Sequence, residues 1–314
     1  MYGFIFRRLL SALPVVFIIA VIAFLLVHLA PGDPAVAIAG DGASDDQIAA
    51  IRRSLGLDQP LPVQFVTWLT SLVQGDFGTS MISRIPVSQL ILQRTEPTVV
   101  LALYAMTITL LVAVPVGVLA AWKSGEWVDR LVLAMSVIGF SMPVFVIGYL
   151  LIGAFGTNLR WFAVQGYKSP GDGLIPFLYT MTLPAITLST TYIALIARMT
   201  RASMIEILGE DFIRTARAKG LQERQVLFGH ALRNAAVPII TVIGSGFAMM
   251  ISGVVITESV FNIPGIGRLV VDAVLGRDYP LIQALIVLTG VLYVAINLLI
   301  DIAYAITDPR IRYS

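Results

Sequence analysis

Six long stretches without any Asp, Glu, Lys or Arg constrain the fold of this 314-residue chain more than any other feature. They cover residues 9–30, 98–121, 131–155, 174–197, 234–257 and 279–300. A helix needs about 20 apolar residues to cross the hydrocarbon core of a bilayer, and each stretch is that long. The chain is also 57% hydrophobic and only 13% charged, a composition typical of an integral membrane protein. The sequence therefore predicts an all-α polytopic membrane protein with six transmembrane helices.

The first stretch has two interpretations. Arg7 and Arg8 before it and small residues at 35–37 after it would suit a cleaved signal peptide. Its apolar run of 22 residues is longer than the core of a signal peptide, which has about 7–15. We therefore expect a first span that is retained.

The distribution of basic residues predicts the orientation. With both termini in the cytoplasm, the cytoplasmic segments hold 13 Lys and Arg in 67 residues, and the opposite side holds 8 in 106. This asymmetry agrees with the positive-inside rule. It places residues 31–97 on the outer side of a cell membrane and residues 210–234 in the cytoplasm.

Residues 31–97 are too long for a bare connection and carry helix signals. A turn cluster at 31–34 opens the segment, and Ser44 with Gln47 forms the pattern of a capping box that starts a helix to about Leu55. Helical spacing recurs at 63–74, and Pro86 can start a third helix that runs to about Arg94. We expect a small, mostly helical extracytoplasmic subdomain. The predicted domains are residues 1–30 (N-terminal segment and first span), 31–97 (this subdomain), 98–307 (permease core with a coupling loop at 203–233) and 308–314 (cytoplasmic tail).

A charged segment at residues 210–238 interrupts the apolar pattern. Apolar residues at helical spacing begin before this segment and continue into it, and they predict one apolar helix face. They are Ile205, Leu208, Phe212 and Ala216. Glu210 and Arg214 are spaced as an ion pair on one helix face.

Gly220 stands where a left-handed C-cap would end this helix. A second helix is predicted to follow, with an apolar side formed by Val226, Leu227, His230 and Ala231. The segment thus predicts a cytoplasmic helix–Gly–helix shaped to dock against a partner.

This segment resembles the EAA loop of ABC-importer permeases, in the dipeptide, oligopeptide and nickel branch. The resemblance rests on residues 214–220 and on His230-Ala231-Leu232-Arg233-Asn234. Arg214 and Thr215 depart from the Glu-Ala of the family pattern, and Arg233 replaces its Pro. Further resemblances lie at 29–34 (LAPGDP), 55–60 (LGLDQP), 75–78 (GDFG), 258–268, 277–280 and 308–313, so that nearly the whole chain is covered.

The resemblance implies the permease subunit of an importer for dipeptides or oligopeptides, with glutathione or nickel as alternative substrates. It implies a second homologous permease subunit, two ATP-hydrolysing subunits and an extracytoplasmic solute-binding protein. The residues expected to couple to the ATPase are Arg214, Thr215, Ala216, Arg217, Ala218, Lys219, Gly220, Leu221, Glu223, Arg224 and Gln225. Whether the loop at 258–278 gates the pore stays open.

Several other functions are less well supported by the residues. Gly117, Trp122, Lys123 and Ser124 have the outline of a P-loop but lack its second glycine, so ATP hydrolysis by this chain is not expected. Without cysteine and with two distant histidines, neither a metal site nor a cofactor is expected, and no nucleic-acid partner is expected. An ion-coupled secondary transporter is a competing class, which the lack of charge in the six stretches disfavours.

The fifth stretch carries small residues at four-residue steps. Gly244, Ala248 and Ser252 form a ridge that suits close helix packing. Ser245 nearby would need His230 as a base in a serine hydrolase. The 15 residues between them span about 22 Å in a helix, too far for a hydrogen bond.

Overall fold

A computed structural model of the chain describes residues 2–29, 35–36, 42, 44–54 and 56–307. Within these ranges the chain is helical, without a strand, which confirms the all-α fold class. The longer α-helices are α1 (Tyr2–Leu29), α2 (Asp45–Ser54), α3 (Leu61–Val73), α4 (Val87–Trp122), α5 (Trp127–Ser141), α6 (Val144–Leu151), α7 (Leu174–Leu208), α8 (Asp211–Ala218), α9 (Ala236–Val260), α10 (Ile266–Leu275) and α11 (Tyr279–Thr307). Short helical turns lie at Pro170–Asp172 and Leu232–Asn234. Ile152–Asn158 and Gln225–Ala231 are π-helical. The predicted turn at 31–34, most of the 29–34 motif, Leu55 and the 308–313 motif lie outside the described residues.

Five of these helices are long and apolar enough to cross a membrane, namely α1, α4, α7, α9 and α11. The pair α5 and α6 can supply a sixth crossing when it is counted as one broken span. The predicted number of spans is thus obtained only with this pair included.

The third predicted span, 131–155, is not one straight helix. The pair is bent by 103° where α5 ends at Ser141 and α6 begins at Val144. Pro143 disfavours the helical conformation of the residue before it, and Met142 is extended, with φ −83° and ψ 129°. The charge-free run concealed this break because hydropathy carries no information about backbone direction.

The helix that begins after Pro86 is much longer than predicted. It starts at Val87 as expected but ends at Trp122 instead of near Arg94, because its polar first turns continue directly into the apolar run. The predicted domain boundary at 97/98 therefore falls inside α4. By packing, the chain divides into two compact units, one formed mainly by residues 96–268 and the other by residues within 6–95 with 269–295.

The long helices also extend beyond the charge-free stretches. Glu96 lies within α4, Arg201 within α7 and Glu258 within α9, where Glu258 is fully buried. The inference that the spanning helices contain nothing to titrate is therefore wrong. It no longer argues against an ion-coupled transporter.

The core of the larger unit lies between α4, α7 and α9. Its buried side chains are Leu101, Ala105, Met106, Phe177, Met181, Leu183, Ala185, Leu188, Tyr192, Met250, Val254, Phe261 and Ile263.

Near the other end of α4, a Cβ on Gly117 would lie 2.6 Å from the carbonyl oxygen of Ala197. Gly117 therefore serves close packing of α4 on α7, and residues 117–122 of the P-loop outline lie in α4.

In the smaller unit, local signals determine α2 and α3. The predicted capping box is confirmed, because the Ser44 amide donates to Gln47 Oε1 at 3.0 Å and the Gln47 amide donates to Ser44 Oγ at 3.4 Å. α3 begins after Pro60, close to the predicted start. Phe24 of α1 packs its ring on Phe65 of α3, with centroids 5.3 Å apart.

Candidate functional site

The charged segment begins where α7 ends. After Leu208 the chain leaves the helix at Gly209 and Glu210, and α8 then carries residues 211–218. The predicted apolar stripe is therefore wrong at Phe212, which is 42% exposed, while Ile213 and Ala216 are buried. The break between the two helices resets the helical phase, so that positions before and after it no longer share one face.

The ion pair predicted between Glu210 and Arg214 is also wrong. Glu210 is the N-cap residue, with an extended backbone (φ −72°, ψ 149°), and it does not lie on the helix face. Arg214 instead pairs with Asp211, with Nη1 and Oδ1 3.3 Å apart. Both side chains are largely exposed, so this pair contributes little to stability.

The predicted left-handed cap at Gly220 is confirmed, with φ 79°. The Gly220 amide donates to Arg217 O at 2.9 Å, and the Leu221 amide donates to Ala216 O at 3.4 Å. This pattern is a Schellman motif, which turns the chain sharply while it satisfies the last carbonyls of the helix. A Cβ on Gly220 would contact nothing within 4 Å, so the backbone conformation and not space requires glycine.

An ion pair bridges the turn. Arg217 Nη2 lies 2.7 Å from Glu223 Oε1, and Arg217 Nε donates to Oε2 at 3.3 Å. The two side chains are about 43% and 34% exposed, so the pair adds little to stability in water. Its bidentate geometry does orient α8 relative to the following turn.

The segment rests on an apolar cluster. Its buried members are Val118, Ala121, Met204, Ile213, Ala216, Val226, Leu227, Ala231, Ala235 and Ile239. The predicted burial of Val226, Leu227 and Ala231 is confirmed, but His230 is exposed. The π-helical turns of Gln225–Ala231 hold more residues per turn than an α-helix, which moves His230 off the apolar side.

The outer surface of the segment is basic and partly apolar. Of the residues expected to couple to an ATPase, Ala216 faces the chain's own core and Glu223 is half-buried, and the others are exposed. Phe212, Leu221 and Phe228 add apolar surface, being 42%, 36% and 47% exposed. Sequence reasoning missed Phe228 and assigned Phe212 to the core. The arrangement is an exposed surface of charged and apolar side chains, anchored from beneath by the apolar cluster, and it suits docking to a partner.

A partly buried ion pair on the helix that leads into this segment was not predicted. Arg201 of α7 donates through Nη2 to Asp129 Oδ2 at 2.7 Å and through Nε to Oδ1. Asp129 is 3% exposed and also accepts from the Gly125 amide at 2.9 Å. The pair joins the start of α5 to α7, the helix that leads into the docking segment. No sequence signal indicates it, because its members are 72 residues apart.

The three small residues expected to pack helices have different surroundings. A Cβ on Gly244 would lie 2.5 Å from Ile300 Cγ1, so α9 and α11 approach closely there. Ala248 is buried, and Ser252 is exposed on the single chain. Their shared role as a packing ridge stays a prediction.

These features define the class of protein: a multi-pass helical membrane protein with a charged helix–turn–helix braced from within. The inner membrane component of binding-protein-dependent transport systems is the family whose model matches residues 113–313, and the N-terminal model of such components matches residues 1–102. The chain belongs to this family.

Individual relatives are similar along their whole length. A probable peptide ABC transporter permease of Sinorhizobium fredii is 55% identical over 310 residues, 99% of each chain. A putative peptide transport system permease of Brucella abortus is 45% identical and a glutathione transport system permease of Salmonella typhimurium is 44% identical, each over 313 residues and 100% of both chains.

The fold is also found in a solved structure. An inward-facing crystal structure of the MetNI methionine ABC transporter aligns with a TM-score of 0.58 and 17% identity. The alignment covers 70% of this chain and 97% of that chain. At this identity the similarity concerns the fold.

Proposed function

We propose that this chain is the permease subunit of an ABC importer, forms half of a translocation pore for dipeptides or oligopeptides, and transmits ATP hydrolysis by separate subunits to that pore. The pore would be completed by a second homologous permease, and two ATPase subunits would dock on the cytoplasmic side, one of them on residues 214–225 of this chain. An extracytoplasmic binding protein would deliver the substrate. Both termini would lie in the cytoplasm.

The observation that carries this proposal is the braced surface of α8 and the following turn. Its exposed side chains are basic and apolar, while its underside is anchored in the chain's own core through Ile213 and Val226. Force applied to such a surface reaches α4, α7 and α9, because residues of all three helices belong to the same apolar cluster. A flexible connecting loop would lack this anchoring.

Peptide is the first candidate substrate because two of the similar permeases carry that description. Glutathione, itself a tripeptide, is the second candidate, since a permease described for it is 44% identical along the whole chain. Nickel has no such relative among those compared above. Transport of labelled dipeptide and glutathione by the reconstituted complex would distinguish the first two.

The turn at Gly220 provides the sharpest test of the coupling role. Gly220→Val forces a β-branched residue into the left-handed region, at a cost of about 1–2 kcal/mol, and should re-aim the residues after α8. We expect the variant to reach the membrane but to retain several-fold less ATPase on co-purification, with a matching loss of ATP-dependent uptake.

Gly75→Val is the matched control. Gly75 has a similar φ of 83° and also has nothing within 4 Å of a Cβ, so the substitution introduces the same strain in a different turn. It should leave ATPase retention unchanged. Equal retention in Gly220→Val and Gly75→Val, with normal uptake in both, would show that the segment is only a connection.

A further inference from the structure

Glu258 is a buried carboxylate at which three segments of the chain meet. It lies in the last turn of α9 with no exposed surface. Thr98 of α4 donates its hydroxyl to Glu258 Oε1 at 2.6 Å, and the Arg268 amide in α10 donates to Oε2 at 3.0 Å. The Ile266 amide donates in turn to Thr98 Oγ1 at 2.8 Å. The carboxylate therefore joins α9, α4 and the first turn of α10.

The backbone of this segment is fitted closely around the carboxylate. A Cβ on Gly265 would overlap the Glu258 carboxyl group, and a Cβ on Gly267 would lie 2.5 Å from Val255 Cα. The Ile263 amide donates to the Glu258 carbonyl at 2.9 Å, and Ile263 is fully buried. Residues 261–268 are thus held by both the side chain and the main chain of Glu258.

The same turn of α4 holds a second inter-helix segment. Glu96 Oε1, two residues before Thr98, accepts hydrogen bonds from Tyr167 Oη at 3.0 Å and from Ser169 Oγ. Burial and the Glu96 carboxylate raise the pKa of Tyr167 to about 12, in agreement with a protonated phenol that donates to this carboxylate. The Gly166 amide also donates to Phe261 O at 3.0 Å, which ties this second segment, 159–173, to the first.

We infer that Glu258 is a positioning residue for transport: it holds residues 261–268 against Thr98, so that the two inter-helix segments on one end of the core move together with α4. Burying a carboxyl group is costly unless it is hydrogen-bonded, so the bonds from Thr98 and Arg268 hold Glu258 and its neighbours in one arrangement. Two loops bound to one helical turn change position as one body, because displacing either breaks hydrogen bonds to α4. On the predicted topology this body faces the side from which substrate is delivered. The transport role rests on the proposed function.

Replacement of the Thr98 hydroxyl separates this role from general packing. Thr98→Val keeps the shape but removes the donor to Glu258 and the acceptor for Ile266, whereas Thr98→Ser keeps both. Thr107→Val on the same helix is the control, because the hydroxyl of Thr107 donates to the carbonyl of Leu103 in its own helix. Glu258→Gln is a second variant, which keeps the size of the side chain but replaces one of its two acceptor oxygens with an NH2 donor.

The first measurement is the accessibility of the buried segment. The chain has no cysteine, so a single Ile263→Cys can be labelled with membrane-permeant N-ethylmaleimide, whose access does not depend on topology. A lost hydrogen bond to a buried carboxylate should speed labelling about tenfold or more. We expect this faster labelling when Ile263→Cys is combined with Thr98→Val or with Glu258→Gln. Combined with Thr98→Ser or Thr107→Val, Ile263→Cys should be labelled as slowly as it is without a second substitution.

The second measurement is coupling in the assembled complex, which a purely structural role would not change. We expect the ratio of ATP hydrolysis with and without the binding protein to fall at least threefold or so in Thr98→Val and to be kept in Thr98→Ser. Equal labelling rates in these two variants, or an unchanged ratio in Thr98→Val, would overturn the inference. If the unmodified chain retained no ATPase, the proposed function would fail instead.

Discussion

At the scale of single residues, buried ionic groups fasten helices that are distant in sequence. The pair of Asp129 and Arg201 joins α5 to α7, and the carboxylate of Glu258 joins α9 to α4 and α10. Such groups are expensive to bury, and removing one partner leaves the other buried without compensation. Their positions follow from which helices pack together, which no local pattern specifies.

Loss of one member of the buried pair should strongly destabilise the chain. Arg201→Ala leaves Asp129 buried without its cation and should lower the free energy of unfolding by roughly 3 kcal/mol. Lys123→Ala is the control, because Lys123 forms an exposed pair with Glu126 that contributes under about 1 kcal/mol. The measurement is the midpoint of thermal unfolding of the detergent-solubilised chain. Similar midpoints for the two variants would contradict this assignment.

At the scale of elements, the course of each helix depends on its packing as well as on its composition. Pro14, Pro97, Pro115 and Pro184 lie inside helices, whereas Pro143 stands at a bend of 103°. The role of a glycine in a helix likewise depends on what packs against it. Gly117 permits contact between α4 and α7, while Gly153 has nothing within 4 Å of a Cβ.

The contact at Gly117 should be intolerant of even one methyl group. Gly117→Ala places a Cβ 2.6 Å from the backbone oxygen of Ala197, which cannot move without displacing α7. Overpacking of this kind typically costs about 1–3 kcal/mol. We expect a lower yield of folded protein by size-exclusion chromatography from Gly117→Ala than from the control Gly153→Ala. A yield from Gly117→Ala as high as that of the control would mean that the two helices separate readily.

At the scale of the whole molecule, the orientation in the membrane is the prediction that most needs a direct test. With both termini in the cytoplasm, Ser44 lies outside and Lys219 inside, and both residues are exposed. A membrane-impermeant maleimide added to intact spheroplasts should label Ser44→Cys and should label Lys219→Cys only after permeabilisation. The opposite pattern would invert the topology and move the proposed ATPase surface to the wrong side.

Features that depend on neighbouring residues could be predicted from the sequence. Long charge-free stretches marked the membrane helices, Ser44 with Gln47 marked a helix start, and Gly220 marked a left-handed cap. Each of these signals acts through the backbone or side chains within a few positions. They were sufficient for the fold class and, with the resemblance to permeases, for the family.

Which side chains are buried and which helices are joined depends on long-range packing and could not be read from the sequence. Two predictions were wrong, because Phe212 and His230 are exposed although the sequence placed them on apolar helix faces. Two features were not predicted, namely the break at Pro143 and the burial of Glu258. Each depends on the direction in which one segment packs on another that lies far away in sequence. Local periodicity contains no such information, because the same pattern suits any partner helix that offers an apolar face.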